Sequence, residues 1–147
     1  MRKVLLAVDG SVASENAARL LAHFSHADRW ELTIVSVVQH PSVSGSYTTG
    51  AALEKAFQRD KAFAVESYRR ASEMFDGANA TISHAIRQGS VGDAIVETAK
   101  EISADLIVVG ATGQSQIRRV LLGSVSDHVA THASCSVLVV RSSGREG

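Results

Sequence analysis

Four residues near the end of the chain have the types and spacing that anion chemistry needs. Gly110 and Gly113 are separated by two residues, and Gly123-Ser124 follows after nine more. Glycine lets backbone N–H groups approach an anion where a Cβ would collide. A helix opening near Gly123 would add unpaired N–H groups and the positive end of its dipole. Ser124 and Ser126 carry hydroxyl donors, and Arg118 and Arg119 could bring positive charge. The plainer alternative is that Gly110 and Gly113 only shape a turn and Gly123 only precedes a helix cap. Two other phosphate motifs are excluded. A Walker loop needs a lysine before the Ser/Thr, and Gly123 is preceded by Leu122. A dinucleotide fingerprint would follow the first strand, where Asp9-Gly10-Ser11 offers one glycine.

Two more groups are candidates for chemistry. Asp9 stands in a polar turn, where an aspartate before Gly-Ser can simply stabilise the turn. A carboxylate beside phosphate is repulsive unless a cation intervenes, so Asp9 suits the sugar or base end of a ligand. His128, His132 and Cys135 have a helical spacing that could face one metal ion. The apolar face there runs through Leu122, Val125 and Val129, with both histidines on its flank and Cys135 past the helix end. They are read as structural, with no metal site and no catalytic residue assigned.

The elements that must position these residues alternate. Residues 3–8 (KVLLAV) form a short apolar strand, and Ser11 is placed to cap a helix with Ala17, Leu20, Leu21 and Phe24 on one face. Residues 31–38 (ELTIVSVV) return to strand composition, and 40–50 read as a mobile polar loop. Leu53, Phe57, Ala64, Tyr68, Ala71 and Phe75 mark a long helix. Residues 80–87 alternate like a half-exposed edge strand. Ser90 and Asp93 make a capping pair for a helix to about Ile102. Strand 105–110, a loop, helix 123–133 and strand 136–141 follow, and 142–147 is a polar tail. Strand–helix alternation implies a doubly wound α/β domain, with parallel strands, right-handed crossovers and helices on both faces. Ligands of such sheets bind at the carboxyl ends of strands, where strand order reverses.

Bulk properties agree with one domain. The chain has 147 residues, 45% of them hydrophobic, with 15 Lys plus Arg against 15 Asp plus Glu. Zero net charge favours neither nucleic acid nor a membrane surface as partner. One cysteine permits no internal disulfide, and no run is long or apolar enough for a membrane span or signal segment. A cytoplasmic location is the expectation.

The stretch DLIVVGATGQSQIRRVLLGSVSDHVATHASCSVLVVR resembles the C-terminal half of the universal stress protein family. In its ATP-binding branch the signature is Gly, two residues, Gly, nine residues, Gly, then Ser or Thr. Gly110, Gly113, Gly123 and Ser124 match it without a gap. KVLLAVDGS and ELTIVSVV are similar to the family's first two strands, so the resemblance covers residues 1–141 as one nucleotide-binding domain. Ser136 departs from many relatives, which have proline before the last strand; that bears on strand entry, not on nucleotide binding.

The resemblance implies a five-stranded parallel sheet of order 3-2-1-4-5, with the first and fourth strands flanking the site. It places Asp9 at the adenosine, Val38 along the adenine (Val37 is the alternative register), and Gly110, Gly113, Gly123 and Ser124 at the phosphates. Val125 and Ser126 extend that loop. It implies an adenine nucleotide, ATP, with AMP or cyclic AMP as alternatives and Mg²⁺ arriving with the nucleotide. It further implies a homodimer paired through the last strand and a regulatory or stress-response role without rapid turnover. A slow ATPase or nucleotide transferase using Asp9 or Mg²⁺, and an interaction module holding AMP or cyclic AMP, are the competing functions.

Overall fold

Apolar runs too short for buried helices become the sheet. β1 (Lys3–Ala7), β4 (Leu106–Gly110) and β5 (Ser136–Val140) each use five residues, while β2 (Trp30–Val38) and β3 (Ala80–Gln88) use nine. Between them lie α1 (Val12–Ala22), α2 (Gly50–Glu73), α3 (Val91–Ile102) and α4 (Ser124–His132). The computed structural model describes residues 2–24, 27–39, 50–111 and 122–141. The predicted loop from His40, the residues Gly113, Arg118 and Arg119, and the 142–147 tail lie outside these.

All strand pairs are parallel and the order is β3-β2-β1-β4-β5, so the chain is a single α/β domain of the predicted topology. Alternate strand residues build two apolar layers. Val4, Leu6, Ile34 and Val108 pack under Ala17, Leu21, Ala71 and Phe75 of the α1/α2 side. Leu5, Val35, Ile107 and Val109 pack under Ile95, Ala99 and Val129 of the α3/α4 side. A parallel strand buried on both faces needs this continuous apolar sequence. Trp30 closes the first layer edge-to-face against Phe75, ring centroids 6.1 Å apart.

The start of β1 is tied to β4 by Asp105, whose carboxylate accepts from the backbone N–H of Arg2 and of Lys3, each at 2.9 Å. The Lys3 and Arg2 N–H groups hold its carboxyl below the usual carboxylate range. β3 is an edge strand, as its alternation predicted, with Thr81 and Ser83 exposed between half-buried Ile82 and His84.

Two local expectations are corrected. On α1, Ala17 and Leu21 are buried, but Leu20 is 41% and Phe24 42% exposed. The buried stripe turns instead toward Ala13, Ser14 and Ala18, and these small residues let the helix backbone lie against the sheet. At α3, Ser90 occupies the N-cap position but makes no side-chain cap bond. Asp93 does not complete a capping box because its carboxylate faces His128 of α4, at 2.9 Å. Ser11 does cap α1, accepting from the Ser14 N–H at 3.2 Å.

Candidate functional site

The strand order reverses between β1 and β4, and the carboxyl ends of these strands open into a cleft of about 450 Å³. Every described residue predicted for the site lines it: Asp9 after β1, Val38 at the end of β2, Gly110 at the end of β4, and Gly123 through Ser126 at the start of α4. Gly113 lies outside the described residues. Val37 also lines the cleft, so both registers of the predicted adenine contact reach it. They differ in environment: Val38 is fully buried, whereas Val37 is half-buried against the α3/α4 layer.

One end of the cleft is built by α4. Gly123 is its N-cap and has no side chain to satisfy the helix start. The Gly123 N–H donates to the Ala111 carbonyl at 2.7 Å, and the Asp127 N–H returns to the Gly123 carbonyl at 2.9 Å. Between them, Ser124, Val125 and Ser126 occupy the first helical positions, whose N–H groups have no carbonyl one turn earlier to bond. They stand at the positive end of the helix dipole, roughly half a charge. Ser124 is exposed, whereas Ser126 is buried. The Ser126 hydroxyl donates to the carbonyls of Ala111 at 2.9 Å and Gly123 at 3.0 Å. The hydroxyl predicted as a ligand donor therefore has carbonyl partners within the fold.

Gly110 also has a reason beyond anion approach. A Cβ there would lie 2.8 Å from the carbonyl carbon of Ala13 and 2.9 Å from its oxygen. The glycine lets the end of β4 touch the first turn of α1.

At the other end, the Asp9 carboxylate accepts from the Ser11 N–H at 2.9 Å, which shapes the turn and fixes the acid at the cleft. The floor holds a polar group the sequence did not single out. Ser36, buried on the Val38 side of β2, has its hydroxyl 3.2 Å from Nε2 of His84. The His84 ring stacks on Tyr68 of α2, with centroids 4.1 Å apart and planes 6° from parallel. Burial pushes the His84 pKa down, favouring the neutral ring.

Sequence reasoning also missed one wall. Asp60, Phe63, Ala64 and Ser67 line the cleft from α2. Their spacing of three, four and seven is a helix face in itself, adjoining the apolar face already read. It went unread because it mixes a charge, a hydroxyl and an aromatic ring.

The two histidines of α4 have local partners. His128 pairs with Asp93 and stacks on His132 at 4.2 Å, and His132 Nδ1 lies 2.9 Å from the His128 carbonyl. Burial raises the Cys135 thiol pKa, and the Asp105 carboxylate adds to the shift. Among the described residues no group of three or more His, Cys, Asp or Glu is placed to share a metal ion, and no helix is long and apolar enough to cross a membrane.

Known proteins resemble this chain in sequence and in fold. A universal stress protein of Methanocaldococcus jannaschii is 30% identical over 145 residues, covering 99% of this chain and 85% of that protein. The universal stress protein UspA from Lactobacillus plantarum superposes with a TM-score of 0.84 at 27% identity, covering 95% of this chain and 97% of that one. A universal stress protein solved in complex with cAMP has a TM-score of 0.66 at 31% identity, covering 95% and 96% of the two chains. The universal stress protein family matches residues 1–141, a range that contains every element from β1 to β5. With the fold, the cleft and the match all spanning the same residues, the chain belongs to the universal stress protein family.

Proposed function

We propose that this cleft binds an adenine nucleotide, ATP, and that the protein acts by holding it in a regulatory or stress-response role. The observation that carries the reading is the bare start of α4, where Ser124, Val125 and Ser126 aim N–H groups from a glycine cap at the carboxyl end of β4. Phosphates belong at that end. The base belongs at the other, along Val38, where an apolar floor and the Asp9 carboxylate oppose phosphate and suit a nucleoside. Mg²⁺ would enter with the triphosphate. The cAMP complex of a relative supports the adenine part of this reading, and the spacing of Gly113 in the sequence fits a place in the phosphate loop.

Two further parts of the reading concern the protein's setting. β5 is an edge strand whose Val137, Leu138 and Val139 are half-buried. An apolar edge is a liability that pairing with a second copy removes, so the protein forms a homodimer through β5. A cytoplasmic location fits the nucleotide it would hold.

Calorimetry with ATP, AMP, cyclic AMP and adenosine tests the assignment. Binding of ATP well above adenosine is expected; equal affinities would show that the start of α4 does not read phosphate. Single-turnover hydrolysis at a rate comparable with nucleotide release would favour a slow ATPase instead.

A further inference from the structure

α2 is 24 residues long, about 36 Å at the usual helical rise. Its buried residues are Ala64, Ser67 and Ala71, so the half before Ala64 contributes nothing fully buried to the core. Yet this is where Asp60 and Phe63 reach the cleft. Phe63 is 53% exposed, although its ring is firmly seated on one side. A Cβ on Gly10 would lie 2.6 Å from the ring's Cζ and 2.7 Å from Cε1, so the ring rests on the bare backbone of the Asp9-Gly10-Ser11 turn. Gly10 has φ +80°, a conformation that glycine adopts without strain. An aromatic ring backed by the turn, half exposed and lining the cleft, can meet a flat ligand group.

Charge says which part of the ligand it meets. Asp9 and Asp60 place two carboxylates in this part of the lining, while the α4 start carries the positive dipole end. A nucleotide laid in the cleft is therefore driven to put its phosphates at α4 and its uncharged nucleoside toward Phe63. We propose that Phe63 is a nucleoside-contacting residue of this site, held in place by the missing side chain of Gly10. This rests on the reading of the cleft as a nucleotide site and adds α2 as its second wall. Stacking on an aromatic ring discriminates little between bases, because each base has a π-face. The contact gives affinity for the nucleoside as a whole, and specificity among bases comes from the strand ends.

The test compares ATP, AMP and inorganic tripolyphosphate binding to wild type, Phe63→Ala, Phe63→Tyr and Gly10→Ala. Phe63→Ala should weaken ATP and AMP by the same factor, roughly 5- to 150-fold, as removal of one base-stacking ring does. Tripolyphosphate should bind as before, and Phe63→Tyr should keep near-wild-type affinity. Gly10→Ala should also weaken both nucleotides, and less so when Phe63 is already alanine, since the colliding ring is gone. The melting midpoint of Phe63→Ala should stay close to wild type. Wild-type nucleotide affinity in folded Phe63→Ala, an equal loss of tripolyphosphate, or a collapse of its melting midpoint would each overturn the proposal while leaving the cleft assignment standing. Failure of the wild type to bind any adenine nucleotide would remove the cleft assignment and this proposal with it.

Discussion

The Ser126 hydroxyl donates to the Ala111 carbonyl at 2.9 Å, fastening the first turn of α4 to the residue that follows β4. It works beside the Gly123 N–H, which donates to the same carbonyl at 2.7 Å and holds the start of α4 in place. Removing it by Ser126→Ala should lower stability by about 1 kcal/mol, because the Ala111 carbonyl keeps its bond from the Gly123 N–H. Nucleotide affinity should change little. Urea denaturation and calorimetry on one preparation check both halves, and a large affinity loss without destabilisation would return the hydroxyl to the ligand.

Ser124→Ala should behave in the opposite way. Its hydroxyl is exposed at the helix start, and a hydrogen bond to a charged group contributes roughly 1.5–3 kcal/mol, so ATP affinity should fall about 10- to 150-fold. AMP should lose less if the contact is to the outer phosphates. The midpoint of thermal unfolding should move by no more than a surface substitution moves it.

Gly110→Ala and Gly113→Val separate packing from anion access. The first puts a methyl group 2.8 Å from Ala13 backbone, and overpacking of this kind costs about 1–3 kcal/mol, so stability should drop together with binding. Gly113→Val should abolish ATP binding in a protein that still melts cooperatively near the wild-type midpoint. Wild-type affinity in that variant would contradict the phosphate-loop assignment.

His84 should make stability sensitive to mild acid. Its folded pKa lies below the ordinary 6.5 because of burial. Well above that value both folded and unfolded chains hold a neutral ring, and no slope arises. As pH falls below it, the unfolded chain takes up a proton that the folded ring resists, so stability declines. Denaturation curves between pH 7.5 and 5 (a range chosen as roughly bracketing imidazole titration) should show this decline, and His84→Asn should flatten it. An unchanged slope in the variant would assign the pH dependence to other groups.

Cys135 should alkylate slowly. Its half-buried thiol has a raised pKa, and the thiolate is the reactive form. Iodoacetamide at neutral pH should modify it more slowly than free cysteine, with full reactivity restored in denaturant. Rates equal to free cysteine in the native protein would contradict the burial of this thiol.

Much of this architecture was legible in the chain itself. Short apolar runs such as Leu106–Gly110, alternating with helical periodicity, admit few arrangements other than a parallel sheet covered on both faces. Asp9 and Gly123 stand at turns that local pattern marks, Val38 was placed only by the family resemblance, and all three line the cleft. Only the tertiary structure decided what each of these residues does there. Whether Ser126 faces a ligand or the Ala111 carbonyl depends on how α4 docks on β4, and the spacing of serines is the same in both cases. The buried stripe of α1 passed from Leu20 to Ala13 and Ala18 because close approach to the sheet favours small residues over large ones. Phe63 and Gly10 are 53 positions apart by their numbering, and no periodicity within α2 or β1 connects them. Their contact follows from the crossover that lays α2 past the end of β1, where a ring can rest only because the turn lacks a Cβ.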